Sequence, residues 1–276
     1  MKEMLADMHI HSYYSDGTMS PEELLEAAKE NGVGILSLTD HDNLEGTIKL
    51  KELCKEGDIL YIPGVELDSL DHNRNTHILA YNINLQDTEF EQFVTRNRIL
   101  LDTVNSMLIE KLHYEYEEIS YSDYMKYSYD RRKGGWKALH YLKEKGLIKN
   151  LREGFAYYER YGCTYECVHF PSVEAVCDQI HKAGGKAILA HPGVTVKETD
   201  IDVFQKEILR LCEFDIDGIE CYYPTHSKEV TKICLQICQD QKLLITTGSD
   251  CHGSFGSASV GETKIPITKL NLKGLI

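Results

Sequence analysis

Residues Asp7-Met-His-Ile-His11 place two imidazoles two positions apart, and in an extended strand such residues lie on one face. Leu5, Met8 and Ile10 make the stretch apolar enough for a short buried strand, which Ser12, Ser15, Asp16 and Gly17 end. Two imidazoles at a strand end suit one metal ion. Taken alone, the pair fits a surface strand equally well. The same arrangement recurs downstream, however, and the recurrence constrains the fold. An apolar run over 34–39 ends in Asp40-His41-Asp42, and one over 59–65 delivers Glu66. Residues 185–190 lead to His191, 218–223 carry Glu220, and 243–247 lead to Asp250-Cys251-His252. His77 stands instead near the start of its run, 76–81.

Helical signals separate these runs. Ser20-Pro21-Glu22-Glu23 combines an N-cap serine, proline at the first helical position and glutamate at the third, the pattern of a capping box. Further helices are expected over about 44–56, over 173–183 behind Ser172, over 202–213, and from His226-Ser227-Lys228 to about 240. Seven strand-like segments alternating with helices predict a parallel sheet with helical crossovers. Such a sheet can stay open or close into a barrel. Polar residues at the carboxyl ends of the runs favour the barrel, where those ends converge on one face. Residues 85–165 break the alternation: a long helical stretch over 89–113, a tyrosine-rich charged run and further helical sequence, with no strand signal. They read as a helical insertion.

Hydrophobic residues make up 42% of the 276 and charged residues 27%, enough for a buried core. No apolar run approaches the roughly 18–20 residues that span a membrane, so no membrane partner is expected. The opening Met-Lys-Glu-Met-Leu-Ala-Asp carries no signal-peptide pattern, which points to a cytoplasmic location. Nine cysteines at irregular spacings read as reduced thiols. The net charge of −14 argues against stable binding of duplex nucleic acid, which calls for a basic footprint. A short oligonucleotide on a local basic patch stays open.

Singly, each candidate has a plain explanation: His77 as a satisfied core histidine, Asp16-Gly17 as a turn, Asp40 as a helix cap. Together, so many imidazoles and acids at strand ends would be left unpaired if buried without metal. Asp7-Met-His-Ile-His11, Ser15-Asp16-Gly17, Thr39-Asp40-His41-Asp42, Gly64-Val65-Glu66, His77, Ala190-His191-Pro192 and Gly248-Ser249-Asp250-Cys251-His252 follow one another in an order that resembles the PHP (polymerase and histidinol phosphatase) family. The resemblance covers about residues 5–84 and 165–262. It is nearest to stand-alone phosphoesterases of nucleotides and short RNA, the 5′–3′ exoribonucleases among them.

The resemblance implies an α/β fold, a distorted (β/α)7 barrel built from 1–84 and 165–276, with 85–164 as an inserted helical lid or substrate domain. It also implies a trinuclear metal site holding two or three divalent ions. Carried over by position, His9, His11, Glu66 and Asp250 would hold the first ion. Glu66 would bridge to a second, completed by His77 and His191, and Asp16, His41 and His252 would hold a third. Asp7 and Asp40 are expected to orient histidines from behind, the alternative being a surface or capping role. Mixed imidazole and carboxylate donors favour manganese, iron or zinc over magnesium. A hydroxide held between two such ions is a nucleophile near neutral pH and would attack phosphorus in line.

The implied substrates are small and phosphorylated: a 3′,5′-bisphosphonucleotide or the 5′ end of a short oligonucleotide. Nucleotide-acting members place basic residues of the insertion over the substrate, where this chain has Arg131-Arg-Lys-Gly-Gly-Trp-Lys137. Arg132 and Lys137 are therefore candidates for phosphate contact, and Trp136 or a tyrosine for base stacking. A solvated basic turn accounts for the same residues. His226 resembles a histidine that binds phosphate or protonates the leaving group, and is otherwise an ordinary residue at a helix start. The alternatives are a histidinol-phosphate phosphatase, a metal amidohydrolase, and a metal-binding PHP module without turnover.

Overall fold

A computed structural model of the chain describes residues 3–54 and 59–276. Its strands form two sheets. In the first, β1 (Leu5–Asp7), β2 (Val33–Leu36) and β3 (Leu60–Tyr61) run parallel in that order. The second holds β4 (Gly64–Asp71), β5 (Arg74–Tyr81), β6 (Lys186–Leu189), β7 (Gly218–Tyr222) and β8 (Leu244–Thr247), again in chain order. Backbone bonds join the sheets at two seams without a continuous ladder. Met8 N donates to Thr247 O and Asp250 N to His9 O at one, and Glu66 N to Thr39 O and Asp42 N to Glu66 O at the other.

These strands differ from the seven parallel ones expected. The run over 59–65 divides at Pro63, with β3 ending at Tyr61 and β4 starting at Gly64. β4 then continues to Asp71 and turns back through His72 and Asn73 into β5, its antiparallel partner, and β5–β6 is antiparallel too. His72 takes φ 54°, as tight hairpin turns require of a central residue. The reversal explains His77. Because β5 runs against its neighbours, its beginning lies at the end of the sheet where the parallel strands finish.

The helices around the sheets start where the capping signals stand. Ser20 accepts from Glu23 N and the Glu23 carboxylate accepts from Ser20 N, opening α1 (Pro21–Glu30) with the expected capping box. α2 is Glu45–Leu53, and the expected helix end at Glu56 lies outside the described residues. Between β5 and β6 come α3 (Thr88–His113), α4 (Tyr121–Lys126), α5 (Lys137–Glu144) and α6 (Phe155–Arg160), with short 3-10 turns, and then α7 (Val173–Lys182) behind Ser172. After β6 come α8 (Pro192–Thr195) and α9 (Ile201–Cys212), and α10 (Lys228–Gln241) joins β7 to β8.

Apolar burial follows the same division. Val65, Ile78, Ile180, Phe204, Ile208 and Ile219 belong to the core between β4–β8 and the covering helices. Met8, Ile35, Leu79, Tyr81 and Ile188 fill the space between the two sheets, where Tyr81 donates its hydroxyl to Met8 O at 2.7 Å. The helical segment packs on its own core of Val104, Leu108, Leu112, Tyr141 and Leu142, while Phe90, Phe93 and Val94 of α3 join the core of the larger sheet.

Away from the polar strand ends, Asp217 ties β6 to the segment before β7. It accepts from Ala187 N at 2.9 Å, Lys186 Nζ at 2.7 Å and His181 Nε2 at 2.7 Å. Burial favours its neutral form, but these donors outweigh burial and hold the carboxyl below its ordinary range. A depressed folded-state value stabilises the fold above the unfolded pKa and is lost as pH falls through the folded one. Asp217→Ala should therefore cost about 1–3 kcal/mol at neutral pH, read by urea denaturation. The gap to the parent protein should narrow below about pH 4.

Candidate metal centre

The polar strand ends meet around Glu66. Its Oε2 lies 3.0 Å from His9 Nε2, 3.1 Å from His11 Nε2 and 3.4 Å from His41 Nε2. Its Oε1 lies 3.0 Å from His77 Nδ1 and 3.1 Å from His191 Nε2. Asp250 Oδ1 reaches His11 Nε2 at 3.0 Å and His9 Nε2 at 3.4 Å. Asp16 Oδ1 is 3.3 Å from His252 Nε2 and 3.7 Å from His11 Nδ1. Among the described residues, three sets bring their donor atoms close enough to share an ion: His9, His11, Glu66 and Asp250; His11, Asp16, His41 and His252; and His41, Glu66 and His77. His191 stands outside these sets but on the same Glu66 oxygen as His77.

Local structure explains the convergence. Ser12 O accepts from Ser15 N and Gly17 N, and this turn carries Asp16 back over His11. His191 and Asp250 take φ 26° and 53° just past their strands, a conformation that costs energy in a residue with a side chain and is common at functional sites. Gly248 has to be glycine, since a Cβ there would collide with His9 and the Glu220 carboxylate. Glu220, fully buried, accepts from His9 Nδ1 at 3.0 Å and from His191 N at 2.8 Å.

The electrostatics suit a cation. Burial raises the carboxyl of Glu66, but His9, His41 and His77 outweigh it and hold the group well below its usual range. Burial opposes charge on His252, yet Asp16 and Asp250 raise it to about 9. Asp16 Oδ1 and His11 Nδ1 are buried without hydrogen-bond partners. Buried donors left unpaired in a ring of imidazoles and carboxylates fit metal ions, which need deprotonated ligands of these types.

Several expectations change. Asp7 accepts from Ser249 N, Ser249 Oγ and Gly261 N, and Asp40 from Ser12 N, Ser12 Oγ and Ser15 Oγ. Both fasten loops and neither bonds an imidazole ring; Glu220 does that for His9. Arg132 pairs with Glu23 of α1 at 2.6 Å. Lys137 lies over the Tyr124 ring and donates to Met125 O. Neither lines the cleft over the cluster, because their basic turn docks on α1 and α4. Gly135 N donates to Asp16 O at 2.7 Å, which fastens this turn to the loop after β1. His226 donates from Nδ1 to Cys221 O and accepts from Gly193 N at Nε2, so both ring nitrogens are occupied.

The cleft has two arms. One, of about 820 Å³, is lined by His41, His77, His191, Trp136, Phe155 and Lys197. The other, of about 530 Å³, is lined by Asp250, His252, Arg152, Phe155 and Tyr223. Arg152, Lys197 and Phe155 carried no signal in the sequence, since each lies on a segment whose place depends on tertiary packing. Asp68 did: it follows Glu66 by two positions and shares its face.

The PHP domain matches residues 7–188. The chain is 29% identical over 256 residues to the Escherichia coli 5′-3′ exoribonuclease Rnm, covering 90% of this chain and 85% of that one. The match to the Salmonella typhimurium enzyme of the same name, 28% identical, spans 69% of this chain and 66% of that one. A phosphoribosyl 1,2-cyclic phosphate 1,2-diphosphodiesterase of Eggerthella lenta is 25% identical over 95% of this chain and its own full length. In fold, the chain resembles a Bifidobacterium adolescentis protein classed as a metal-dependent phosphoesterase, with TM-score 0.74, 22% identity and coverage of 94% and 91%. The order of motifs, the strand ends gathered on Glu66 and the domain match agree: this chain belongs to the PHP family.

Proposed function

We infer that the protein is a metal-dependent phosphoric ester hydrolase acting on a 3′,5′-bisphosphonucleotide or on the 5′ end of a short oligonucleotide. The observation that carries this reading is the division of Glu66 between two groups of imidazoles, one on each oxygen. In this reading His9, His11, Glu66 and Asp250 hold one ion, Glu66, His77 and His191 a second, and Asp16, His41 and His252 a third. Divalent manganese, iron or zinc held there would supply Lewis acidity and a nucleophile at neutral pH.

The chain's own groups do the positioning. Arg152 and Lys197, one in each arm, offer positive charge to phosphate oxygens, and Trp136 and Phe155 offer flat surfaces to a base. Two arms that share Asp16 and Phe155 leave room beside the cluster for the substituents of a phosphate ester. The names of the exoribonuclease and diesterase relatives support phosphodiester chemistry. We take the two sheets together as a distorted (β/α)7 barrel and residues 85–164 as its inserted substrate domain. Nine free thiols suit a cytoplasmic location, and no described helix is long and apolar enough to cross a membrane.

With Mn²⁺, turnover of a 3′,5′-bisphosphonucleotide or a 5′-phosphorylated RNA oligomer should exceed that of histidinol phosphate and of a 1,2-cyclic sugar phosphate. A tenfold preference for histidinol phosphate would overturn the nucleotide reading, and no turnover of any of them would leave a metal-binding module. Glu66→Ala should lower activity about a thousandfold or more, the worth of several kcal/mol of metal assistance, and should reduce bound metal in elemental analysis.

A further inference from the structure

Asp68 is fully buried on β4, opposite His77 in the β4–β5 register. Its Oδ1 lies 3.3 Å from His41 Nδ1 and 3.4 Å from His77 Nε2. These are the ring nitrogens that face away from Glu66, which meets His41 at Nε2 and His77 at Nδ1. Each imidazole therefore stands between two carboxylates. Asp68 Oδ1 and His41 Nδ1 have no hydrogen bond of good geometry.

The other contacts of Asp68 come from the helical segment and from Asp42. Tyr165 donates its hydroxyl to Asp68 Oδ2 at 2.8 Å. Asn97 of α3 donates to Asp68 O at 2.9 Å and to Asp42 Oδ1 at 3.2 Å. We propose that Asp68 is a positioning residue for His41 and His77, accepting from the nitrogen each turns away from Glu66, and that Tyr165 holds it in place. An imidazole that donates from one nitrogen presents the lone pair of the other, which fixes tautomer and ring direction. The helical segment thereby sets how tightly the centre binds metal. The inference rests on the metal-centre reading above.

The test measures Mn²⁺ affinity by chelator competition on the full chain, with metal-free melting curves as a folding control. Asp68→Asn should weaken the most loosely held ion about 10–100-fold, and Tyr165→Phe should weaken it less. In Zn²⁺-loaded protein, ¹⁵N spectra of the histidine rings should show that His41 and His77 lose their single tautomer in Asp68→Asn. Unchanged affinity and tautomers in both variants, while Glu66→Ala loses metal, would overturn the role of Asp68 alone. Glu66→Ala binding metal like the parent would overturn the underlying reading and this inference with it. If Asp68→Asn does not fold, Tyr165→Phe decides.

Discussion

The carboxylate of Glu66 and the imidazoles around it set the terms for the rest of the structure. A buried carboxylate is costly unless positive charge or hydrogen bonds meet it, and here imidazoles approach both of its oxygens. They come from segments far apart in the chain, so the fold has to bring several strand ends to one place. Gly248 and Glu220 illustrate the demand. One omits a side chain so that His9 fits, and the other binds His9 and the backbone of His191.

The acidic balance of the chain acquires a local meaning at this site. Carboxylates outnumber cationic side chains overall, and around Glu66 they draw positive charge onto the histidines. Metal ions meet the same demand. Substrate phosphate would need cations of its own, and the cationic side chains of Arg152 and Lys197 line the two arms of the cleft.

Much of the site was legible because its residues sit on a simple local pattern, a short apolar run followed by a histidine or an acid. Helix starts were legible for the same reason, since Ser20 and Ser172 cap the turns that follow them. What escaped depends on tertiary packing. The β4–β5 hairpin was hidden because Asp68, Ser69 and Asp71 interrupt the apolar pattern of β4, although all three are buried. Arg132 and Lys137 were candidates for phosphate contact through the family resemblance, yet they face Glu23 and Tyr124.

The β4–β5 hairpin carries Glu66, Asp68 and His77 on adjacent strands, in a register running from Gly64 opposite Tyr81 to Asp71 opposite Arg74. Spacing among these three groups follows from the backbone ladder and not from a loop. A ligand arriving there meets donors already at their working separation, and little ordering entropy has to be spent on gathering them. Any slip of one residue in that ladder would turn Glu66 and Asp68 to the opposite side of the sheet, so the accuracy of strand pairing and the capacity to hold a cation are inherited together.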